Sequence, residues 1–263
     1  MRIALQISYD GRAGAGWQTQ PGAIAIQDQV ESALTQIAGH PVATVCAGRT
    51  DAGVHAVSQL VHFDTVAQRP AQAWVRGVNA LLSSLVAVQA GAPVADDFHA
   101  RFCARRRRYH YLLMRSRTRT PLLHGKVTWL HQPLDLAAMT QAAQALIGTH
   151  DFSAFRSAQC QAASPVRTIE SIAITEHGPL VALEVVANAF LHHMIRNMVG
   201  SLFEVASGRK PMDWLVQVLA SRDRRNAART FDADGLYLTG VDYEQAIAGL
   251  NLWPQPPAGG LWY

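Results

Sequence analysis

A polar loop at residues 48–56, with the sequence GRTDAGVHA, carries the side chains best suited to chemistry in this chain. Asp51 lies at its centre, with Arg49 two residues before it and His55 four residues after it. A carboxylate in such a loop can act as a nucleophile or stabilise developing positive charge. A structural role is the alternative, with Asp51 in an Asx turn, Gly53 supplying a positive φ and His55 at the edge of the core.

The elements that must hold this loop follow a clear order in the first half of the chain. Residues 3–9 alternate apolar with other side chains, which is the period of a strand with one buried face. An apolar helical stripe over residues 26–37 ends at Gly39, a typical helix stop. The predicted order β-α-β-β-α-β is completed by strands at 42–46 and 57–63, a helix over 70–82 and a strand at 86–89.

The second half repeats this order. A strand is predicted at residues 109–115, and Asp135 has the position of an N-cap for a helix that ends at Gly148. The order continues with strands at 167–175 and 180–187, a helix over 191–203, a short helix opened by Pro211 and a strand at 236–243.

Two β-α-β-β-α-β units are typical of ferredoxin-like domains. We therefore expect an α+β fold in which two such halves join into one wide antiparallel sheet, with the helices packed on one face. The expected domains are residues 1–97, which carry the Asp51 loop, and residues 98–246, followed by an irregular Pro- and Gly-rich tail at 247–263.

The composition excludes several classes of protein. Of 263 residues, 49% are hydrophobic and 16% are charged, which excludes intrinsic disorder. The three cysteines lie far apart with no C-x-x-C, so a disulfide scaffold or cysteine zinc site is not expected. No signal peptide and no run of about 18 apolar residues is present, so we expect a cytoplasmic protein without a membrane partner.

The positive charge is concentrated in one segment. The formal net charge is +4, but residues 98–134 contain nine Arg and Lys residues and no Asp or Glu, which leaves −5 elsewhere. Four of these arginines are consecutive, at 105–108. Because a guanidinium can fork onto phosphate, a polyanionic partner is one interpretation, and a solvated surface run is the other.

The GRTDAGVHA loop closely resembles the catalytic loop of the tRNA pseudouridine synthases of the A type. Other motifs of that family occur in the family's order, and the resemblance covers about residues 2–243. The motifs are YDG at 9–11, GWQ at 16–18, FHARF at 98–102, YHY at 109–111, SPVRTI at 164–169 and FLHHMIRNMVG at 190–200. Residues 253–263 lie outside the resemblance, and the arginine run at 105–108 is more basic than the family pattern, so the resemblance implies no role for either segment.

The resemblance implies an isomerase that converts uridine to pseudouridine at nucleotides 38, 39 and 40 of the anticodon stem-loop of tRNA. In this reaction the bond from ribose C1′ to uracil N1 breaks, the uracil turns, and C1′ is rejoined to C5. No redox change or group donor is needed, so no cofactor is expected. No metal is expected either, since His192 and His193 are consecutive on a predicted helix and point to different faces.

The resemblance also implies roles for individual residues. Asp51 is the catalytic nucleophile, and attack on C1′, addition to uracil C6 and action as a base all remain open. Tyr109 stacks on the uracil and accepts the C5 proton, while Arg196 pairs with Asp51 and holds it ionised. Arg49 fills the space left by the flipped base. Leu236 packs beneath that base, and the implied RNA contacts are Phe98, His99, Ala100, Arg101, Phe102, Arg117, Gln159, Cys160, Gln161, Ala162 and Ala163.

The implied partner is tRNA, and the implied assembly is a homodimer. The main alternative is a non-catalytic RNA-binding protein with two RNA-recognition-like domains, although neither half shows their RNP1 pattern. A nuclease would want paired carboxylates for metal, whereas Asp51 is the one carboxylate in its loop.

Overall fold

A computed structural model describes residues 1–255 of the chain. They form a large mixed sheet of ten strands with five α-helices. The strands are β1 (Arg2–Tyr9), β2 (Val45–Cys46), β3 (His55–Asp64), β4 (Val86–Val94), β5 (Ala104–Arg115), β6 (Thr128–Leu130), β7 (Gly148–Asp151), β8 (Val166–His177), β9 (Leu180–Ala187) and β10 (Leu236–Tyr243). The helices are α1 (Ile26–Ala38), α2 (Ala71–Asn79), α3 (Leu136–Ala143), α4 (Met194–Ala206) and α5 (Trp214–Ser221).

The expected combination of helices with a large sheet is confirmed, but the sheet is mixed and not antiparallel throughout. Strand β10 runs parallel to β3, with Tyr237 opposite His55, and β6 runs parallel to β5. None of the described helices is long and apolar enough to cross a membrane.

The first compact unit contains Met1–Arg107 together with the described residues from Tyr237 onward. Its strands lie in the order β4-β1-β3-β10, with β2 beside β3, and α2 packs on α1 and β4. Helix α1 buries Val30, Ala33 and Leu34 on one stripe and ends at Gly39, whose φ of 75° is a left-handed cap. The predicted order of elements in this half is thus confirmed.

The second compact unit contains the described residues from Arg108 to Leu236. Strands β7, β8 and β9 are antiparallel neighbours, and α3 packs against α4. The predicted N-cap is confirmed, because Asp135 Oδ1 accepts a hydrogen bond from Ala138 N at 2.9 Å. The predicted domain boundary between residues 97 and 98 stays a prediction. In the structure, β10 belongs to the first compact unit.

Several predicted boundaries are wrong for identifiable reasons. Strand β5 begins at Ala104, because all four arginines of the 105–108 run occupy strand positions that the apolar pattern does not reveal. The short strands β6 and β7 are missing from the prediction, and Gly148 opens β7 instead of ending a helix. Helix α4 begins at Met194, so His192 and His193 precede it, and His193 has a left-handed φ of 63°.

The start of the predicted tail is part of the first unit and is hydrogen-bonded to two of its strands. Gln6 Nε2 donates to Asn251 O at 2.8 Å, and Asn251 N donates back to Gln6 Oε1 at 3.2 Å. Val241 N donates to Leu252 O, and Leu252 is buried. The described part of the predicted tail is therefore hydrogen-bonded to β1 and β10. Residues 256–263 of the tail lie outside the described part of the chain.

Helix α4 and the segment that precedes β10 approach each other at a glycine. A Cβ on Gly200 would lie 2.4 Å from Arg229 O and 3.3 Å from the Phe231 ring. The segment is fixed there by hydrogen bonds from Ala228 N to Ser201 Oγ and from Phe231 N to Arg196 O. Glycine is therefore required by the close contact of two backbones.

We predict that Gly200→Ala lowers the free energy of unfolding by about 1–3 kcal/mol, because the new methyl group displaces backbone. Gly77→Ala is the matched control on α2, where the nearest atom is the end of the Ile37 side chain and can move. The gain in helix propensity, about 1 kcal/mol, makes this control neutral or stabilising. Urea denaturation of both variants measures the difference, and equal effects would contradict the assigned role of Gly200.

Candidate functional site

The Asp51 loop turns sharply between β2 and β3. Asp51 is half-buried, and its main-chain oxygen accepts a hydrogen bond from Val54 N at 3.1 Å. Gly53 has a φ of 83°, so it supplies the positive φ of the turn. His55 is buried and stacks on Tyr237 with ring centroids 4.5 Å apart. The structural roles considered for Gly53 and His55 are thus confirmed, and Asp51 remains the candidate for chemistry.

Two glycines bring the N-terminal motifs against this loop. A Cβ on Gly11 would lie 2.3 Å from Gly53 C, and Gly11 N donates to His55 Nδ1 at 3.0 Å. Gly16, with a φ of 85°, lies against the loop so closely that a Cβ would be 2.9 Å from Thr50 O. The YDG and GWQ motifs therefore meet the GRTDAGVHA loop backbone to backbone.

The residue before Asp51 is held from two directions. The Thr50 hydroxyl is 2.8 Å from the Tyr9 hydroxyl, and Thr50 O accepts from Trp17 N at 3.0 Å. Tyr9, Trp17 and Thr50 are all buried, so these hydrogen bonds form in a medium of low polarity. The backbone at Asp51 is consequently fixed before any ligand binds.

Residues that the sequence analysis did not single out support the stem of the loop. Gln59 Nε2 donates to Gly48 O at 2.6 Å and to the Tyr9 hydroxyl at 3.3 Å. Arg107 is buried and donates to Ala47 O at 3.0 Å, to Arg101 O at 2.8 Å and to Ala104 O at 2.9 Å. No local pattern identifies these contacts, because each joins residues from separate elements.

The arginine run at 105–108 is largely used inside the fold. Arg105 pairs with Glu244 at 2.6 Å and Arg106 with Asp242 at 2.8 Å. Arg107 binds the three carbonyls described above, and Arg108 is buried with Glu184 at 3.8 Å. The tally of nine positive charges thus overstates the charge offered to a partner, since carboxylates distant in sequence neutralise part of it.

The stretch at 98–102 packs around a buried histidine of β3. Ala100 N donates to His62 Nδ1 at 3.1 Å, and the His99 ring lies edge-on to His62 at 5.0 Å. His99 Nδ1 accepts from the main-chain N–H groups of Arg101 and Phe102. Phe102 is 77% exposed and lies beneath the Arg101 guanidinium at 5.6 Å. Arg101 and Phe102 are therefore the members of this stretch that face outward, whereas Ala100 is buried.

Tyr109 and Arg196 belong to the second unit. Tyr109 is buried on β5, and its ring lies edge-on to Phe190 at 5.1 Å. Arg196 is the third residue of α4 and is half-buried, and its Nε donates to Phe231 O at 2.8 Å. This hydrogen bond fixes the plane of the guanidinium, which is the group implied to hold a carboxylate ionised.

The loop that contains Gln159, Cys160, Gln161, Ala162 and Ala163 is tied to the segment before α4. Arg156 Nη2 donates to Cys160 O at 2.6 Å and to Ala162 O at 2.9 Å, while Ser157 N donates to His192 O. Burial raises the pKa of the Cys160 thiol, but N–H groups of Ala162 and His192 and the Arg156 charge outweigh it and lower the pKa overall.

The remaining predicted site residues differ in their exposure to solvent. Arg49 and Arg117 are exposed, as an RNA contact requires. Gln159, Gln161 and Ala163 are exposed as well, whereas Leu236 is buried at the first position of β10.

The chain is similar to several known proteins that share one name. A family model described as tRNA pseudouridine synthase matches residues 142–244. The chain is 56% identical over 244 residues to tRNA pseudouridine synthase A of Bordetella petrii, covering 92% of this chain and 91% of that protein. It is 56% identical over 244 residues to the protein of the same name from Chromobacterium violaceum, covering 92% and 93%. The corresponding protein of Nitrosomonas europaea is 49% identical over 244 residues, covering 93% and 90%.

Among solved structures, the chain is similar to part of a Cbf5-Nop10-Gar1 complex with a TM-score of 0.34 and 14% identity. The match covers 75% of this chain and 46% of that chain.

We predict that Arg107→Gln lowers the free energy of unfolding by about 2–4 kcal/mol, because it leaves buried carbonyls without their charged donor. Arg105→Gln is the matched control, since its ion pair with Glu244 is exposed and contributes less than about 1 kcal/mol. Urea denaturation at neutral pH measures both. If the two substitutions cost the same, Arg107 is not the internal clamp that its contacts indicate.

We also predict a pH dependence of stability from His62. Burial, Arg2 and His99 lower its pKa to about 4, against a weaker opposing effect of Asp64. The unfolded chain, with a histidine pKa of about 6.5, therefore takes up a proton that the folded chain refuses. The native form is destabilised as the pH falls from about 6.5 to 4, and protonation would also remove the acceptor for Ala100 N.

His62→Gln keeps a neutral acceptor in the same position and removes the titration. We expect the variant to lose about 2 kcal/mol less stability than the native chain between pH 7 and pH 5. The exposed His177→Gln serves as control. Parallel pH profiles of the native chain and His62→Gln would contradict the assignment.

Proposed function

The chain belongs to the tRNA pseudouridine synthase A family and is an isomerase of tRNA uridine, and from this premise we propose that it acts at nucleotides 38, 39 and 40 of the anticodon stem-loop. Asp51 is the proposed nucleophile, and the reaction uses no cofactor. Family membership leaves no reason to keep the alternative of a non-catalytic RNA-binding protein. We place the reaction in the cytoplasm, where bacterial tRNA is processed.

The observation that carries this proposal is the convergence of three motifs on one carboxylate. YDG and GWQ approach the GRTDAGVHA loop through Gly11 and Gly16, at distances that admit no side chain. Tyr9 and Trp17 of the same motifs hold Thr50, next to Asp51. Such an arrangement presents one half-buried carboxylate from a fixed backbone, which favours a catalytic over a purely structural role.

The first chemical step requires a carboxylate. Breaking the bond from C1′ to N1 leaves the sugar electron-poor, and an ionised Asp51 either bonds to C1′ or stabilises that charge. Addition of Asp51 to uracil C6 is the other nucleophilic route. In both routes the uracil turns before C5 bonds to C1′, and C5 then loses its proton.

Tyr109 and Arg196 supply the remaining proposed functions. We assign stacking on the uracil ring and acceptance of the C5 proton to Tyr109, whose ring position is fixed by Phe190. Arg196 is assigned to keeping Asp51 ionised, since an opposite charge favours the carboxylate form. Its hydrogen bond to Phe231 O pre-orients the guanidinium for that purpose.

A stacked uridine must leave the stem before it can react, at a cost of a few kcal/mol. We propose that Arg49 fills the vacated position, which its exposure permits. Arg101, Phe102 and Arg117, all exposed, are proposed contacts to the tRNA backbone and to unpaired bases. The loop at 159–163 is a further proposed contact, and a homodimer is the proposed assembly.

The proposal is tested by release of tritium from tRNA that carries [5-³H]uridine. We expect Asp51→Asn to reduce the rate by at least about 10³-fold, because the amide is neither a nucleophile nor a counter-charge. The variant should keep the native unfolding midpoint and its affinity for tRNA. Rapid release by a folded Asp51→Asn chain would refute the role of Asp51.

Asp64→Asn is the matched control, since it removes an exposed carboxylate paired with Arg2 and should leave the rate unchanged. Transcripts with uridine at one of the three positions and cytidine at the other two separate the sites. Release from uridines elsewhere in the tRNA, with none from these positions, would refute the proposed specificity and leave the isomerase activity standing.

A further inference from the structure

A groove in the second unit is lined by basic and aromatic side chains that the proposed function does not use. It has a volume of about 680 Å³, and Lys210, Trp214, Gln217, Arg225 and Arg229 are among the residues that line it. Residues 209–230 contain six Arg and Lys residues and two Asp, which gives a net charge of +4. Because Asp213 and Asp223 lie between the basic residues, this segment does not stand out as an uninterrupted basic run in the sequence.

The cations of the groove are held outward. Lys210 and Arg229 are exposed, and the side chain of Arg225 is 89% exposed while it pairs with Asp223 at 2.6 Å. Lys210 Nζ lies 5.4 Å from the centre of the Trp214 ring. Glu204 also lines the groove, and its carboxylate is 3.4 Å from Arg209, which offsets its charge.

The groove is built on the same frame as Arg196. Glu204 lies eight residues after Arg196 on α4, which corresponds to about 12 Å along the helix. Its main-chain oxygen accepts from the N–H groups of Arg209 and Lys210, which places Lys210 at the end of α4. The opposite wall is the segment that Arg196 holds through Phe231 and that Gly200 allows to lie on the helix.

Arg224 anchors this wall from inside. Its Nη2 donates to Asn197 Oδ1 at 3.0 Å and to Thr230 Oγ1 at 3.1 Å, while Nη1 donates to Ala227 O. Asn197 is fully buried on α4. The outward cations thus stand on a rigid wall, which reduces the entropy lost when they bind a ligand.

We propose that this groove binds the phosphodiester backbone of the tRNA substrate, beside the nucleotides that reach the active site. This inference rests on the proposed function. Guanidinium and ammonium groups bind phosphate oxygens, and Gln217 and Asn226 add amide donors for phosphate or ribose.

The salt dependence of tRNA binding tests this assignment. The double variant Lys210→Gln/Arg229→Gln should weaken binding about ten-fold near 100 mM salt and lower the slope of log Kd against log salt by about 1.5. The matched control is Arg69→Gln/Arg76→Gln, which removes two exposed arginines of the first unit. The control should change the slope by much less.

Kinetics and fluorescence provide independent readouts. Since the groove lies outside the reacting atoms, tritium release at saturating tRNA should stay native in the double variant while KM rises. Binding of tRNA should quench the indole emission of Trp214, and the quenched component should be missing in Trp214→Phe. An unchanged salt slope, or a lower kcat with unchanged KM, would overturn the proposal.

The outcomes distinguish this inference from the proposed function. If the native chain binds tRNA but releases no tritium, the proposed function fails, while the salt slope still tests the groove. If the double variant sediments as a smaller species than the native chain, the groove is an interface between copies and the proposal is wrong. The affinity for poly-glutamate, an acidic peptide, is measured with the same variants. If the double variant loses affinity for poly-glutamate but keeps its affinity for tRNA, the groove binds an acidic protein and the proposal is wrong.

Discussion

The backbone contact between Gly11 and Gly53 is the constraint on which the candidate site depends. The two main chains approach so closely that a methyl group on Gly11 would lie 2.3 Å from the Gly53 carbonyl carbon. This contact joins the end of β1 to the turn that enters β3, two strands that are already paired along their length. The sheet thereby fixes the position of Asp51, and the buried hydrogen bond between Tyr9 and Thr50 completes the attachment. The backbone that carries the Asp51 carboxylate is therefore held by several contacts within the first unit.

Charge in this chain serves two purposes that composition cannot separate. Arg107 and Arg224 are internal clamps that satisfy carbonyl and amide oxygens, and Arg106 pairs with Asp242 on β10. Exposed cations such as Arg101 are the ones available to a polyanion. Because a guanidinium has five donors in a planar fork, the same residue type suits both purposes, and burial decides between them.

The sequence predicts the elements well where periodicity is strong. The strand at β1, the helix α1 with its stop at Gly39 and the N-cap at Asp135 are placed correctly, because local propensity and tertiary packing agree there. The predictions fail where the local pattern is interrupted, too short or overridden by the backbone. Four consecutive arginines at 105–108 interrupt the apolar pattern of β5, and β6 and β7 are too short to show one. His193 at a left-handed φ delays the start of α4, which no propensity scale anticipates.

The sequence by itself determined which residues are candidates for chemistry, because the GRTDAGVHA, YDG and GWQ motifs are short contiguous stretches that can be identified without a structure. It also determined most of the elements that carry them. Only the tertiary structure decided that these motifs meet at Asp51, that Gln59 and Arg107 support its loop, and that Arg108 lies beside Glu184. Each of these contacts joins residues far apart in sequence. Such contacts depend on the register of strands and the packing of helices, which local sequence patterns do not specify.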